Sequence, residues 1–526
     1  MDPISLPIDG ANFFSFPEAR TVLERDILPK YMPETRWFGG KAREPQRIAI
    51  EALLPVSKSE NAARLLLARV EYPAGEPELY VIPVQIGAAK EIEQTAIIAQ
   101  FQDGYALVDA LEDADCRADL LRLVRTEDKI TSENGELIGI RGSALDPESD
   151  LETKSRYLKV EQSNSSISYG DTIFLKIFRK PDRGMNPDVE ITRFLSEKAH
   201  YSNIPPFGGA IEYRQSGAEP RVLALGVGMV KNRGDAWAYA LDEVGKFYQR
   251  LPPHDTPPDE AWVEQNLGEC GERIAQLAVR TAEVHLALAS DSSDPAFAPE
   301  PITMEDQRTI SEGIQQSARD MFATLRGQKV EGSLQQEIDE LIALEPRLEE
   351  LAGEYAARDV HACKTRTHGD YHLGQVLYTG DDFVIIDFEG EPRRTLAERQ
   401  AKRSPLRDVA GMLRSFHYAA HSGLERIDLA DRHEVGLWGE LWAAVASRIF
   451  KGTWLQTCKD ACFIPADRGD VDRVLNAFLL EKAIYEVMYE LNHRPTWVGI
   501  PIRGCLHILR PEEARNQEDE EEVGVY

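Results

Sequence analysis

The segment Thr367-His368-Gly369-Asp370-Tyr371-His372-Leu373-Gly374-Gln375, followed by Phe383-Val384-Ile385-Ile386-Asp387-Phe388-Glu389, constrains this chain more than any other stretch. It sets two acids in different surroundings. Asp370 follows a glycine in a short polar loop, and Asp387 ends an apolar, β-branched run that reads as a strand. The intervening residues and the turn Thr379-Gly380-Asp381-Asp382 make a β-hairpin, with a polar loop before its first strand and an acid at the end of its second. Phosphoryl transfer needs such parts: a carboxylate to accept a hydroxyl proton, and a side-chain oxygen with a second carboxylate to hold Mg²⁺ on nucleotide phosphates. The plain alternative is a buried hairpin carrying acids by chance.

The pattern H-G-D-x-H-x-G-Q, then I-D-F-E, resembles the catalytic and metal-binding loops of the aminoglycoside-phosphotransferase-like kinases, distant relatives of protein kinases. Asn usually occupies the last metal-loop position there. Gln375 in its place resembles the bacterial maltokinases, which phosphorylate maltose at its anomeric carbon. The resemblance implies an α+β, bilobal, eukaryotic-protein-kinase-like fold. Its expected parts are an α+β cap over residues 1–130, a β-rich N-lobe over 131–231, a mostly helical C-lobe over 232–510 and an acidic disordered tail over 511–526. It further implies ATP and Mg²⁺, with Asp370 as the catalytic base, Gln375 and Asp387 on the metal, and His368, His372 and Glu389 as acceptor contacts.

Composition narrows the alternatives. The 526 residues suffice for about two to four domains. A net charge of −29 repels phosphates over most of the surface, which argues against nucleic-acid or acidic-membrane partners while leaving room for a local ATP pocket. Six cysteines are too few for a disulfide scaffold, and Cys458 and Cys462 lack a second pair at metal-ligand spacing, so a structural role is expected for both. Without a long apolar run or a basic, apolar leader after Met1, a cytoplasmic enzyme is the expectation.

Taken in order, residues 16–30 read as one amphipathic helix ending near Pro29. Arg36-Trp37-Phe38-Gly39-Gly40-Lys41 could bind an anion or a sugar ring, but packing is the commoner use of such a cluster. It resembles a stretch of the maltokinase cap. Residues 46–56, 63–72 and 79–86 are β-rich, with helical residues near 104–123. Further on, Ser163, Asn164, Ser165 and Ser166 lie in a small-residue polar loop. In a kinase N-lobe, such a loop covers phosphates with N–H groups and hydroxyls. Lys176 follows on a strand and Glu190 opens a helix, the order of the kinase lysine and its glutamate partner. Residues 221–231 read as a central strand entering the hinge, where backbone near Met229 and Lys231 would meet adenine. The remainder is helical: 236–250, 259–289, 305–327, 333–358, 406–421, 433–451 and 470–492. His285 reads as a satisfied structural histidine, and Arg407 and Asp408 as braces of the catalytic loop.

On the 470–492 helix, Lys482, Tyr485, Glu486 and Tyr489 share one face. Rings that stack on sugar C–H faces beside charged groups suit a disaccharide; a solvated face with a Lys–Glu pair is the plain reading. The stretch Leu480 to Glu486, with Tyr489-Glu490 and Arg494-Pro495, resembles the C-terminal sugar-binding helix of maltokinases. Together these imply transfer of phosphate from ATP to maltose, feeding α-glucan (glycogen) synthesis alongside a trehalose synthase, which would be a separate chain here. Departures from the family pattern are Ser165-Ser166, where Thr is frequent, and Tyr371 before His372. A kinase for an aminosugar or aminoglycoside on the same scaffold, and a non-catalytic nucleotide-binding regulator, are the competing readings. The regulator is disfavoured because Lys176, Asp370 and Asp387 are all present.

Overall fold

The computed structural model describes residues 4–41, 43–59, 61–148, 154–159, 163–252, 256–328, 332–425 and 432–510. The acidic tail expected at 511–526 lies outside them, as do residues 160–162 of the expected phosphate loop. The chain divides into two compact units, Met1–Val230 and Lys231–Tyr526.

The first unit holds two sheets. Strands β1 (Ile4–Leu6), β2 (Arg47–Pro55), β3 (Arg64–Glu71), β4 (Glu78–Ala88), β5 (Ile97–Phe101) and β6 (Tyr105–Asp109) form one sheet, in the order β1-β5-β6-β4-β3-β2. Apolar runs such as Leu65-Leu66-Leu67 are buried on both faces, which is why β3 and β4 read as continuous apolar strands. The second sheet takes β7 (Lys129–Ser132), β8 (Gly135–Arg141), β9 (Ser155–Leu158), β10 (Ser165–Tyr169), β11 (Ile173–Ile177), β12 (Phe207–Arg214) and β13 (Arg221–Gly228), ordered β7-β8-β12-β13-β11-β10-β9.

Two expectations for this unit are corrected. Residues near 104–109 are not helical: Tyr105–Asp109 is strand β6, a single 3-10 turn follows at Ala110–Glu112, and the helix Ala114–Arg125 starts only after Asp113, whose side chain caps it by accepting the Asp115 N–H. Nor does Pro29 end the first helix. A wide π turn at Leu23–Ile27 precedes Leu28–Tyr31, and Pro29 falls in the first turn of that segment, where a missing N–H is tolerated.

The second unit is helical around the hairpin β16 (Val376–Tyr378) and β17 (Phe383–Ile385); a short pair, β14 (Glu300–Pro301) with β15 (Cys363–Lys364), lies elsewhere in it. Its long helices include Glu269–Leu288, Met304–Arg326, Leu406–Glu425, Arg432–Thr457 and Arg468–His493. The expected helix 259–289 is split at Gly268 (φ +54°), and 333–358 is split after Ala343. The helices Leu406–Glu425, Glu269–Leu288 and Arg468–His493 carry the residues that surround the hairpin's entry loop.

Candidate active site

The loop from His368 to Gln375 has almost no regular structure of its own, so its shape comes from the helices beside it. Asp408, in the first turn of the Leu406–Glu425 helix, accepts the backbone N–H of His368 at 2.7 Å and of Gly369 at 3.0 Å. The same carboxylate is 3.1 Å from His285 Nε2. Trp454 Nε1–H donates to His285 Nδ1 at 3.0 Å. An indole nitrogen only donates, so Nδ1 carries the lone pair and Nε2–H faces Asp408. His285 is thus a satisfied structural histidine. Arg407 Nη1 donates to the Gly369 carbonyl at 3.0 Å, and Leu373 N–H to Ser415 Oγ at 3.1 Å. Farther along that helix, Gly411 admits the loop: a Cβ there would lie 2.4 Å from the Tyr371 carbonyl oxygen. The Tyr371 hydroxyl meets Thr281 Oγ1 at 2.7 Å; Thr281 already donates to the Leu277 carbonyl, so tyrosine is the donor. Burial alone would raise the Asp408 carboxyl, but the hydrogen bonds it accepts from His285 and from the Gly369 N–H hold it below its ordinary value.

Asp370 projects from this clamped loop. Lys482 Nζ, from the Arg468–His493 helix, lies 3.1 Å from its Oδ1. Burial pushes the Asp370 carboxyl upward, yet Lys482 more than offsets it, so the group sits below its usual range. Burial pulls the lysine downward while Asp370, Glu391 and Glu486 hold it above its ordinary value. Both groups are therefore charged at neutral pH. The side chains of Lys482 and Asp370 keep 19% and 22% of their surface exposed, enough for a ligand to reach either.

A lattice of ions fixes this pair. Glu391 Oε1 is 3.7 Å from Lys482 and 3.4 Å from Arg407. Glu481, next to Lys482, binds Arg394 at 2.9 Å and Arg407 at 3.1 Å. Burial opposes its ionisation, but Arg407 and Arg394 bring it down to about 2. Glu391, Glu481 and Arg394 were not singled out from sequence. Glu391 stands two residues past Glu389 in D-F-E-G-E-P, and Glu481 directly precedes Lys482, so proximity to chosen residues was the available signal.

Gln375 and Asp387 are brought together. Gln375 Nε2 donates to Asp387 Oδ2 at 3.1 Å across the hairpin. Asp387 has φ +65°, the left-handed region, which only a few side-chain-bearing residues tolerate. Amide and carboxylate oxygens are hard donors of the type Mg²⁺ takes, so this pair fits the ion that a kinase fold implies. Glu389 lies 4.0 Å from Arg399, whose Nη1 also donates to the Glu389 carbonyl.

The two motif histidines serve the loop itself. His368 is buried, with Nε2 2.9 Å from the Ile386 carbonyl and Nδ1 facing the Asp370 N–H. His372 Nδ1 accepts the Gly374 N–H at 3.0 Å, and burial lowers its imidazole below the ordinary value. The expected sugar face divides in the same way. Tyr485 and Tyr489 are half-buried with ring centroids 6.1 Å apart, and Arg393 sits over the Tyr489 ring at 5.4 Å. Glu486 turns inward instead, to a buried pair with Arg414 at 2.8 Å. A carboxylate at that position needs the guanidinium more than solvent, which periodicity cannot show.

In the first unit, Lys176 on β11 reaches Asp188 Oδ2 at 3.2 Å. Asp188 belongs to the helix Pro187–Arg193, capped by Asn186, which also carries Glu190. The expectation named Glu190 and passed over Asp188. Ser163 and Asn164 lie in the loop joining β9 to β10, whereas Ser165 and Ser166 are buried strand residues. The Ser165 hydroxyl accepts Arg179 Nε–H at 2.7 Å, so these two serines are packing positions and correct the loop expectation. Met229 is exposed and its N–H donates to the Thr172 carbonyl at 2.8 Å; Lys231, at the start of the second unit, is exposed.

Residues 31–113 match the maltokinase N-terminal cap domain. Two curated relatives are glucosamine kinases: one from Streptacidiphilus jiangxiensis, 26% identical over 69% of this chain and 75% of its own, and one from Mycolicibacterium smegmatis, 26% identical over 66% and 77%. Among solved structures, a glucosamine kinase in complex with glucosamine, ADP and inorganic phosphate superposes with a TM-score of 0.63 at 19% identity, over 92% of this chain and 99% of that one. The chain shares the kinase fold of that glucosamine kinase, and its first unit carries the stretch that matches the maltokinase cap. In this chain the cap motif packs. Phe38 is buried against Tyr80 with centroids 5.1 Å apart, and the Arg179 guanidinium covers Trp37 at 5.1 Å. Arg179 also donates to the Val81 carbonyl at 3.2 Å, tying the end of β11 to β4.

Proposed function

We propose that this kinase-like protein transfers the γ-phosphoryl group of ATP to the anomeric hydroxyl of maltose, giving maltose 1-phosphate and ADP. The observation that carries the reading is the 3.1 Å contact that brings Lys482, from the helix resembling the maltokinase sugar-binding segment, to Asp370. Asp370 is the general base. Held ionised by Lys482, it orients the acceptor hydroxyl and takes its proton as the sugar oxygen bonds to phosphorus and the bond to the ADP oxygen breaks. Lys482 sets the charge of the base and meets acceptor hydroxyls, while Tyr485 and Tyr489 stack on the sugar. Gln375 and Asp387 would hold Mg²⁺, which neutralises charge on the nucleotide phosphates when bound. Lys176 and the N–H groups of the Ser163–Asn164 loop are assigned to the nucleotide, with adenine near Met229. The product would feed α-glucan assembly, with a trehalose synthase as a possible source of the maltose. Among the described residues no helix is long and apolar enough to cross a membrane.

A second reading is favoured by the curated relatives: phosphorylation of glucosamine. The neighbourhood of Asp370 speaks for the neutral sugar. Glu391 and Glu481 are already occupied by Lys482, Arg394 and Arg407, and the half-exposed rings suit an uncharged disaccharide better than an ammonium beside a lysine. A sugar panel assayed for ADP release separates the two. Maltose should give the highest kcat/KM, and its reducing end should disappear with turnover because the anomeric oxygen is esterified. Turnover on glucosamine with none on maltose would replace the acceptor assignment. Asp387→Asn should remove most activity with the circular dichroism spectrum unchanged; full activity would remove it from the metal site.

A further inference from the structure

The helices Leu406–Glu425 and Arg432–Thr457 bring together three side chains that no part of the kinase mechanism uses. His417 and His421 are one turn apart on the first helix, and Glu440 faces them from the second. The two Nε2 atoms are 3.3 Å apart. Glu440 Oε1 is 2.7 Å from His421 Nε2, and Oε2 is 3.2 Å from His417 Nε2.

Protons satisfy the two contacts to Glu440 but not the approach of the two nitrogens to each other. If both histidines donate Nε2–H to the carboxylate, neither can accept from the other, and two N–H groups oppose each other. A cation resolves the conflict, because both imidazoles then offer lone pairs toward the same point as the carboxylate. The spacing suits a tetrahedral ion as well. Metal–nitrogen bonds of about 2.0–2.1 Å place neighbouring tetrahedral ligands about 3.3 Å apart. Two of the three edges, at 3.3 and 3.2 Å, have that length. His417 Nδ1 is buried without a hydrogen-bond partner, so no contact there demands that Nε2 keep the proton. The Glu440 side chain is 39% exposed, which gives an ion and a fourth, water ligand a way in.

We propose that His417, His421 and Glu440 bind a divalent transition-metal ion of the zinc class, one ion per chain. Two nitrogens and a carboxylate suit Zn²⁺ or Co²⁺ and not Mg²⁺, which prefers six oxygens. The ion staples two neighbouring helices, one of which carries Arg407 and Asp408 at its start. Its role is to fix that helix, and it stands apart from the acceptor and from the Mg²⁺ ligands.

Full-length protein stripped with a chelator and titrated with Co²⁺ gives the test. The parent should show the visible absorption of a four-coordinate Co²⁺ site, saturating at one equivalent and displaced by Zn²⁺. His421→Ala and Glu440→Gln, which sit on different helices, should each bind at least about tenfold more weakly, while Asp387→Asn keeps the band. Zn²⁺ should raise Tm in the parent and not in the two site variants. The proposal is overturned by absence of the band at one equivalent, by its persistence in both site variants, by its loss in Asp387→Asn, or by a thiolate charge-transfer band assigning the ion to cysteine.

Discussion

Lys176 and Lys482 each sit beside an aspartate, at 3.2 Å from Asp188 and 3.1 Å from Asp370, yet the two pairs are built differently. The first pair joins a strand to the helix that follows it. The second joins residues 112 positions apart, through a helix near the end of the described chain and a loop held by other helices. The first partner keeps 5% of its side chain exposed and the second 22%. A closed pair of this kind fixes a lysine for a partner that arrives with its own charge, such as a nucleotide. An accessible pair keeps an acid ionised and still available to a substrate. The difference teaches that the same contact distance can leave an acid closed off in one unit and open to a ligand in the other, which is what the proposed roles require.

The sharpest way to break this comparison is to remove the acid of the accessible pair. Asp370→Asn should lower turnover by about 10²–10⁴-fold with nucleotide affinity little changed, as single-turnover and ATP-binding measurements would show. Equal losses in both would make the pair structural. For the closed pair, Lys176→Ala should raise KM for ATP by about 10–100-fold, the worth of a charged hydrogen bond, while maltose binding measured by calorimetry survives. Lys482→Met should raise KM for maltose by about tenfold and spare that for ATP. It should also move the acid limb of the pH–rate profile. Lys482 lowers the Asp370 carboxyl, so activity in the parent persists down to a pH below the ordinary aspartate range. Without the cation that carboxyl rises, and activity is lost at a higher pH than in the parent. An unmoved limb would remove Lys482 from the tuning of the base. The smallest effect is expected at Tyr485→Ala: a rise of about 2–10-fold in KM for maltose, in keeping with one aromatic contact.

Local relationships were legible in the sequence, and distant ones were not. The hairpin, its loop, the strand bearing Lys176 and the helix bearing Glu190 all follow from short-range patterns, and so does the capped helix that begins with Arg407 and Asp408. Asp188, which meets the strand lysine, lies within one helical turn of Glu190, and sequence order alone does not single it out, because that contact depends on how the strand and helix pack. Glu486 shares a helix face with Lys482 and Tyr485 on paper. Its inward turn follows from Arg414, seventy-two residues away on a neighbouring helix. Ser165 reads as loop because small polar residues favour turns, but the buried Arg179 needs an acceptor and takes its hydroxyl within the strand. Periodicity records which face is apolar. It does not record which buried cation an acid will be called on to neutralise.

Asp387 holds a left-handed backbone, φ +65°, at the place where the proposed Mg²⁺ site calls for a carboxylate. Aspartate and asparagine are the side-chain-bearing residues that adopt this conformation most readily, and others lose about 1–2 kcal/mol there. The position is therefore a natural control on itself. Asp387→Asn changes the charge and spares the geometry, whereas Asp387→Ala alters both, and Asp387→Gly frees the main chain as it deletes the ligand. A matched set of the three, compared by melting temperature and by turnover, would separate how much of this corner's demand on sequence comes from electrostatics and how much from torsion.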